Sequence, residues 1–129
     1  MDIKAHLRRT LKDELDQKWA MTLRNWQDAS NASRQANLAF LKGLRNHLFF
    51  AIEEITDPVE LSHAVALYHI EVRCHWSLIN LKLQNHVNEH GTVKDELLYR
   101  ASCVSMILEA LEPFIAQSAM DHCKERLFT

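Results

Sequence analysis

Two glycines and two prolines punctuate 129 residues. Tight turns draw on these residue types, and a sheet needs a turn every few residues. A chain with so little punctuation must travel in long unbroken segments, and long segments are helices. The apolar residues bear this out, recurring at spacings of three and four rather than alternating. An all-α fold is expected. A hydrophobic fraction of 47% and a charged fraction of 25% are enough for a core and too apolar for a disordered chain. The length suits one helical domain, residues 1–129.

The first helix is expected from about Ile3 to Asp28, with Asp2 as its N-cap. Its apolar residues Ile3, Leu7, Leu11, Leu15, Trp19 and Leu23 keep a strict spacing of four. At about 100° per residue each step overshoots a full turn by about 40°, so this stripe should drift around an α-helix. Its two ends should then face different neighbours. Asp28 to Ser33 is rich in capping and turn-forming residues and makes the break. The second helix is expected over about Ala32–Ile55, with Leu38, Leu41, Leu44, Leu48, Ile52 and Ile55 inward.

Asp57-Pro58-Val59-Glu60 is the clearest local signal. Asp57 caps, Pro58 takes the first helical position, and Glu60 completes a capping box. The third helix runs from Pro58 to His90, where Gly91 ends it with a left-handed cap. Its inner seam is Leu61, Val65, Tyr68, Val72, Trp76, Ile79, Leu83, Val87 and His90, repeating every eleven residues. Thr92 with Asp95 predicts a capping box for the fourth helix, about Val93–Arg126, which carries Leu97, Ala101, Val104, Leu108, Leu111, Ile115 and Ala119 inward. Pro113 cannot donate to Glu109, and because the apolar phase continues past it a kink is expected rather than a break. Short connections between long helices predict an antiparallel up-down-up-down four-helix bundle.

The third helix carries more apolar surface than a bundle helix needs. Opposite its seam lie Leu67, Ile70, Cys74, Leu78 and Leu81, again three and four apart. Left open, such a row is costly, so either the first helix covers it or a second chain does. The second helix repeats the theme with Gly43 and Phe50 on its back, and a mid-helix glycine often marks close approach of another helix. Trp19 and Trp26, seven apart, are further candidates because tryptophan anchors interfaces. The expected interface therefore comprises Leu67, Ile70, Leu78, Leu81, Phe50, Gly43, Trp19 and Trp26, with a homodimer as the simplest assembly.

Catalytic constellations are harder to find. Of eight histidines, His86 and His90 stand four apart on one face and make the best metal candidate, but no third or fourth ligand is nominated. A carboxylate-bridged di-iron bundle needs two Glu-x-x-His pairs, and Glu60-Leu61-Ser62-His63 is the single match. Cys74-His75 and His122-Cys123 are chain neighbours that a helix points about 100° apart. Two glycines cannot build a phosphate-cradling loop. Lys4, Arg8, Arg9 and Lys12 make a basic turn, but Asp13, Glu14 and Asp16 follow at once and the formal charge is −2, so neither nucleic acid nor an anionic membrane is an expected partner. Three cysteines without CxxC spacing, and no apolar run of signal or membrane-spanning length, fit a reduced cytoplasmic protein.

The expectation is thus a non-enzymatic helical protein-binding module without a cofactor, acting as a small regulator, adaptor, inhibitor or immunity-type factor, and homodimeric. The alternatives are a metal- or cofactor-binding bundle using His86 and His90, and a nucleic-acid-associated regulator using the basic turn.

Overall fold

A computed structural model describes the backbone of residues 2–128 and the side chains of residues 2–116. The chain is all-α, with four helices packed together and no strand among the described residues. The first helix is a continuous rod in three segments: α1 (Ile3–Arg8), a π-helical segment (Arg9–Glu14) and α2 (Leu15–Arg24). It is followed by α3 (Asn31–Ile52), α4 (Pro58–His90) and α5 (Asp95–Phe128), of which α4 and α5 are the most extensively apposed pair.

Local chemistry sets most boundaries. Asp2 accepts from the Ala5 N–H at 3.2 Å, Ser30 from Ser33 at 3.1 Å, and Asp57 from Glu60 at 3.1 Å, with Pro58 at the start of α4. Gly91 has φ of 71°, the left-handed cap expected of it, and its N–H donates to the Val87 carbonyl. Three boundaries differ from expectation. The first rod ends at Arg24 rather than Asp28, and α3 at Ile52 rather than Ile55. Thr92 does not cap α5, which begins at Asp95; the Lys94 carbonyl accepts the first bonds, from Leu97 and Leu98. The Thr92 carbonyl is instead taken by His86 Nδ1 at 2.9 Å. Helix α5 continues through Pro113 as one element. Ala119, expected inward, and Cys123 lie outside the described side chains.

The π segment corrects the expected drift of the first stripe. In an uninterrupted α-helix four steps of four residues would turn Leu23 about 160° away from Leu7. Both are buried, as are Leu11, Leu15 and Trp19 between them. Bonds of i→i+5 widen the turn beyond that of an α-helix, so a step of four undershoots there and returns the stripe to one side. The whole rod can then face one core.

That core joins Leu7, Leu11, Leu15 and Trp19 to Leu41, Leu48 and Ile52 of α3, Leu61, Val65 and Val72 of α4, and Val104, Ile107 and Leu111 of α5. Polar ties fix the order of the helices. Lys4 donates to the Glu53 carbonyl at 3.0 Å, Arg45 to Leu11 at 3.3 Å, and Arg34 to Leu23 at 3.1 Å, so residue numbers rise on the first rod as they fall on α3. The same reversed pairing links the rod to α5: the His6 and Phe114 rings lie 5.0 Å apart, Trp19 donates to the Cys103 carbonyl at 3.0 Å, and Tyr99 to Asn25 at 3.1 Å. Buried Asn37 donates to Ser33 and accepts from Arg100, both at 2.8 Å, which binds α3 to α5.

Arg45 is the other buried polar residue, 4% exposed, and it pairs with Asp16 while its guanidinium stacks 5.3 Å from the Trp19 ring centre. Asp16 is over a third exposed, so water weakens the pair. Replacing Asp16 with alanine leaves the buried cation with one partner fewer and is expected to lower stability toward urea by about 1–3 kcal/mol. In an Arg45→Met background the same change should cost far less. Equal losses in both backgrounds would mean that the ion pair contributes nothing.

Candidate interaction surface

Helix α4 runs as a single rod from the Asp57 cap to Gly91, and its apolar residues fall on two faces. Its buried residues Leu61, Val65, Tyr68, Val72 and Ile79 turn toward the core. On the helical wheel, Leu67, Ile70, Cys74, Leu78 and Leu81 cluster roughly 150° away from them. They are not covered by the first rod: Leu67 is 68% exposed, Ile70 55%, Leu78 58% and Leu81 57%, and Cys74 is exposed too. Monomers seldom leave a contiguous row of this kind open.

The border of this face is polar. On one side His47 Nδ1 of α3 meets Glu71 at 3.1 Å, an exposed pair that ties α3 to the flank of α4. Further along, Lys82 is exposed and Asn80 donates to the Trp76 carbonyl at 2.8 Å. Beneath the same flank Tyr68 donates to the Leu44 carbonyl at 2.6 Å; burial, and secondarily Glu71, push its hydroxyl well above the ordinary tyrosine range, with Arg45 opposing. His69 is held below its usual value by burial and by Arg73, while Glu112 pulls the other way.

The remaining candidates separate into surface and core. Phe50 is 80% exposed on α3, and Gly43, seven residues earlier, is on the surface with nothing within 4 Å of where a Cβ would stand. No close helix approach within the chain therefore explains this glycine. Trp19 and Trp26 are not available to a partner, because both are buried in the chain's own core. The first is locked by its bond to Cys103; the second stacks on Tyr99 at 5.6 Å. The expected interface role for these two tryptophans fails on burial: Trp19 belongs to the stripe that the π segment holds inward, and Trp26, in the turn after α2, packs against Tyr99 of α5. Trp76, expected in the inner seam, is 39% exposed, since the four-residue step from Val72 turns it to the seam's edge.

His86 and His90 do come together, with ring centres 4.5 Å apart. His86 donates from Nδ1 to a carbonyl, which fixes its proton there, and no group of three His, Cys, Asp or Glu able to hold a metal exists among the described residues. Nearby, an open hollow of about 440 Å³ is lined by Lys82, His86, Glu89, Lys94, Glu96 and Arg100. Its cations and carboxylates are mixed, and Arg100 is already engaged by Asn37, by Glu96 at 3.4 Å and by the Phe40 ring at 4.7 Å. In the basic turn of the first rod, Lys4 is committed to the end of α3 and Arg9 donates to His6 Nδ1 at 2.7 Å. None of the described helices is long and apolar enough to cross a membrane.

Comparisons with family models, with curated proteins and with solved structures return no match.

Sequence reasoning missed Arg45 as a core residue. It lies four residues from Leu41 and one from Leu44, inside the inward arc of α3, and that placement is the signal that an arginine there needs a partner. Cys103 is a core residue as well, and burial pushes its thiol up to about 12. Because the thiolate is the reactive form, Cys103 should resist iodoacetamide at pH 8 in the native protein and alkylate only after unfolding, as peptide mass mapping would reveal. Rapid labelling of the folded chain at Cys103 would contradict this placement.

Proposed function

We propose that this chain is a non-enzymatic helical protein-binding module that works by association through the outer face of α4, as a small regulator, adaptor, inhibitor or immunity-type factor, and that it is a cytoplasmic homodimer. The observation that carries this reading is the row Leu67, Ile70, Leu78 and Leu81, each more than half exposed on a helix whose opposite face already fills the core. Residues that serve the fold are buried; these are not, so their apolar character is explained by something outside the fold. Phe50 and Gly43 on the back of α3 extend the apolar surface in the same spirit. The reversed residue pairings between helices support an up-down-up-down bundle beneath this surface, with the proline in α5 read as a kink.

A charge at the middle of the row tests the reading. Leu78→Asp should leave the helical circular dichroism intact, because the side chain supports no core contact, and should drop the mass seen by light scattering from two chains to one. A wild-type protein that is monomeric at micromolar concentration would sink it.

A further inference from the structure

We infer that His86 and His90 form a two-histidine site for a divalent transition-metal ion, Cu(II) foremost, at the end of α4. The site is separate from the association surface and stands without it. His86 and His90 lie five full helical turns beyond Tyr68 and Val72, on the inward arc of α4. There the core has run out: the last buried residue of the helix is Ile79, His86 is half-buried and His90 is exposed. A core would call for apolar side chains at these positions and a surface for scattered charges. The helix instead sets two imidazoles with their ring centres 4.5 Å apart, the one histidine–histidine ring contact among the described residues.

The turn after α4 orients the pair. Gly91, in its left-handed conformation, reverses the chain, and the Thr92 carbonyl receives the Nδ1–H of His86 at 2.9 Å. That bond leaves the lone pair on Nε2, which is how metal-binding histidines are commonly aimed. His90 follows one turn later on the same face, so both imidazoles can close on one ion. The spacing fits. With metal–nitrogen bonds of about 2.0–2.1 Å and a ring centre about 1.1 Å further out, two imidazoles at a right angle on one ion have centres about 4.5 Å apart. A tetrahedral angle would need about 5.2 Å. The right angle is the tetragonal preference of Cu(II), which also heads the affinity order for nitrogen ligands. A cation here meets the negative end of the α4 dipole and the Glu89 carboxylate, 3.8 Å from His90 Nε2. Lys82 and Lys94 oppose it nearby, but both are exposed and screened by solvent. With no third protein ligand among the described residues, water fills the remaining positions and the ion is exchangeable.

The test titrates Cu(II) into the metal-free full chain, followed by calorimetry and by the imidazole proton resonances. One ion per chain should bind with micromolar affinity, and the His86 and His90 resonances should broaden before those of the other histidines. His86→Ala and His90→Ala should each weaken binding at least tenfold. His63→Ala, which removes an exposed histidine elsewhere on α4, should leave it unchanged. Zn(II) should broaden nothing but should compete for the same pair, more weakly. Binding that survives both variants, that spreads over the histidines without preference, or that is absent at micromolar copper overturns the site. His90 is exposed and its replacement spares the fold, so if His86→Ala melts, His90→Ala and the order of broadening decide.

Discussion

A cation inside the core organises the first half of this molecule. Arg45 is almost fully buried, and a buried charge is tolerated only when it is paired and hydrogen-bonded. It reaches three partners on one rod: the Leu11 carbonyl within the π segment, the Asp16 carboxylate beyond it, and the face of Trp19 one turn further. Among the described residues its Nε is left without a partner, so the cation is held by two bonds and a ring rather than by a full complement. The π segment and the arginine belong together. The segment returns the Leu stripe to one side of the rod, and the arginine docks on it from α3. Remove the widening of the turn, and Leu7 and Leu23 could not both face the same core.

From there the electrostatics pass to α4. Tyr68 donates to the Leu44 carbonyl, one residue from Arg45, and Glu71 beside it meets His47. Arg45 and Glu71 act on the Tyr68 hydroxyl in opposite senses. Small polar ties of this kind fix the phase of α4 about its own axis, and the phase decides which apolar row is buried. Rotated by half a turn, the helix would bury Ile70, Cys74 and Leu78 and expose Val65, Val72 and Ile79; by apolar content alone the two choices are close. Polar specificity settles a question that hydrophobicity leaves nearly even.

Much of this was legible in the chain. Asp2, Asp57-Pro58-Glu60 and Gly91 announced their helix ends because capping is local chemistry, decided within a few residues. The second apolar row of α4 was legible too, since a strict periodicity survives whatever surrounds it. What was hidden depends on contacts between segments far apart. The strict four-residue spacing of the first rod reads as a drifting stripe under α-helical geometry, and only the π segment makes it straight. Trp19 was misplaced onto a surface for that reason, and Trp26 because the rod stops at Arg24 and the turn beyond it folds back onto Tyr99. Arg45 was hidden because charge normally marks the solvent side, and its partners Asp16 and Leu11 lie 29 and 34 residues away.

The outer surface of the first rod serves as an internal control for the face of α4. Arg8, Arg9, Lys12, Asp13, Glu14, Gln17 and Lys18 are exposed there, and of its large apolar residues Ile3 and Met21, eighteen apart, are open. The same chain, under the same demand for solubility, therefore surfaces one helix in the ordinary way and another with leucine and isoleucine. Apolar content that simply spilled from a crowded core would be scattered on both, because nothing in the packing of a bundle lines it up along one exterior. Elsewhere exposed apolar residues such as Ile3, Met21, Phe50, Val93 and Leu98 are scattered, whereas along Leu67 to Leu81 they line up in a narrow arc bordered by Glu71 and Lys82 and shaped like the seam by which helices recognise helices. A surface of that form makes chemical sense when it is covered, and α4, anchored on its far side by Tyr68 and along its length by α5, presents it on a rigid support that needs no rearrangement to receive a partner.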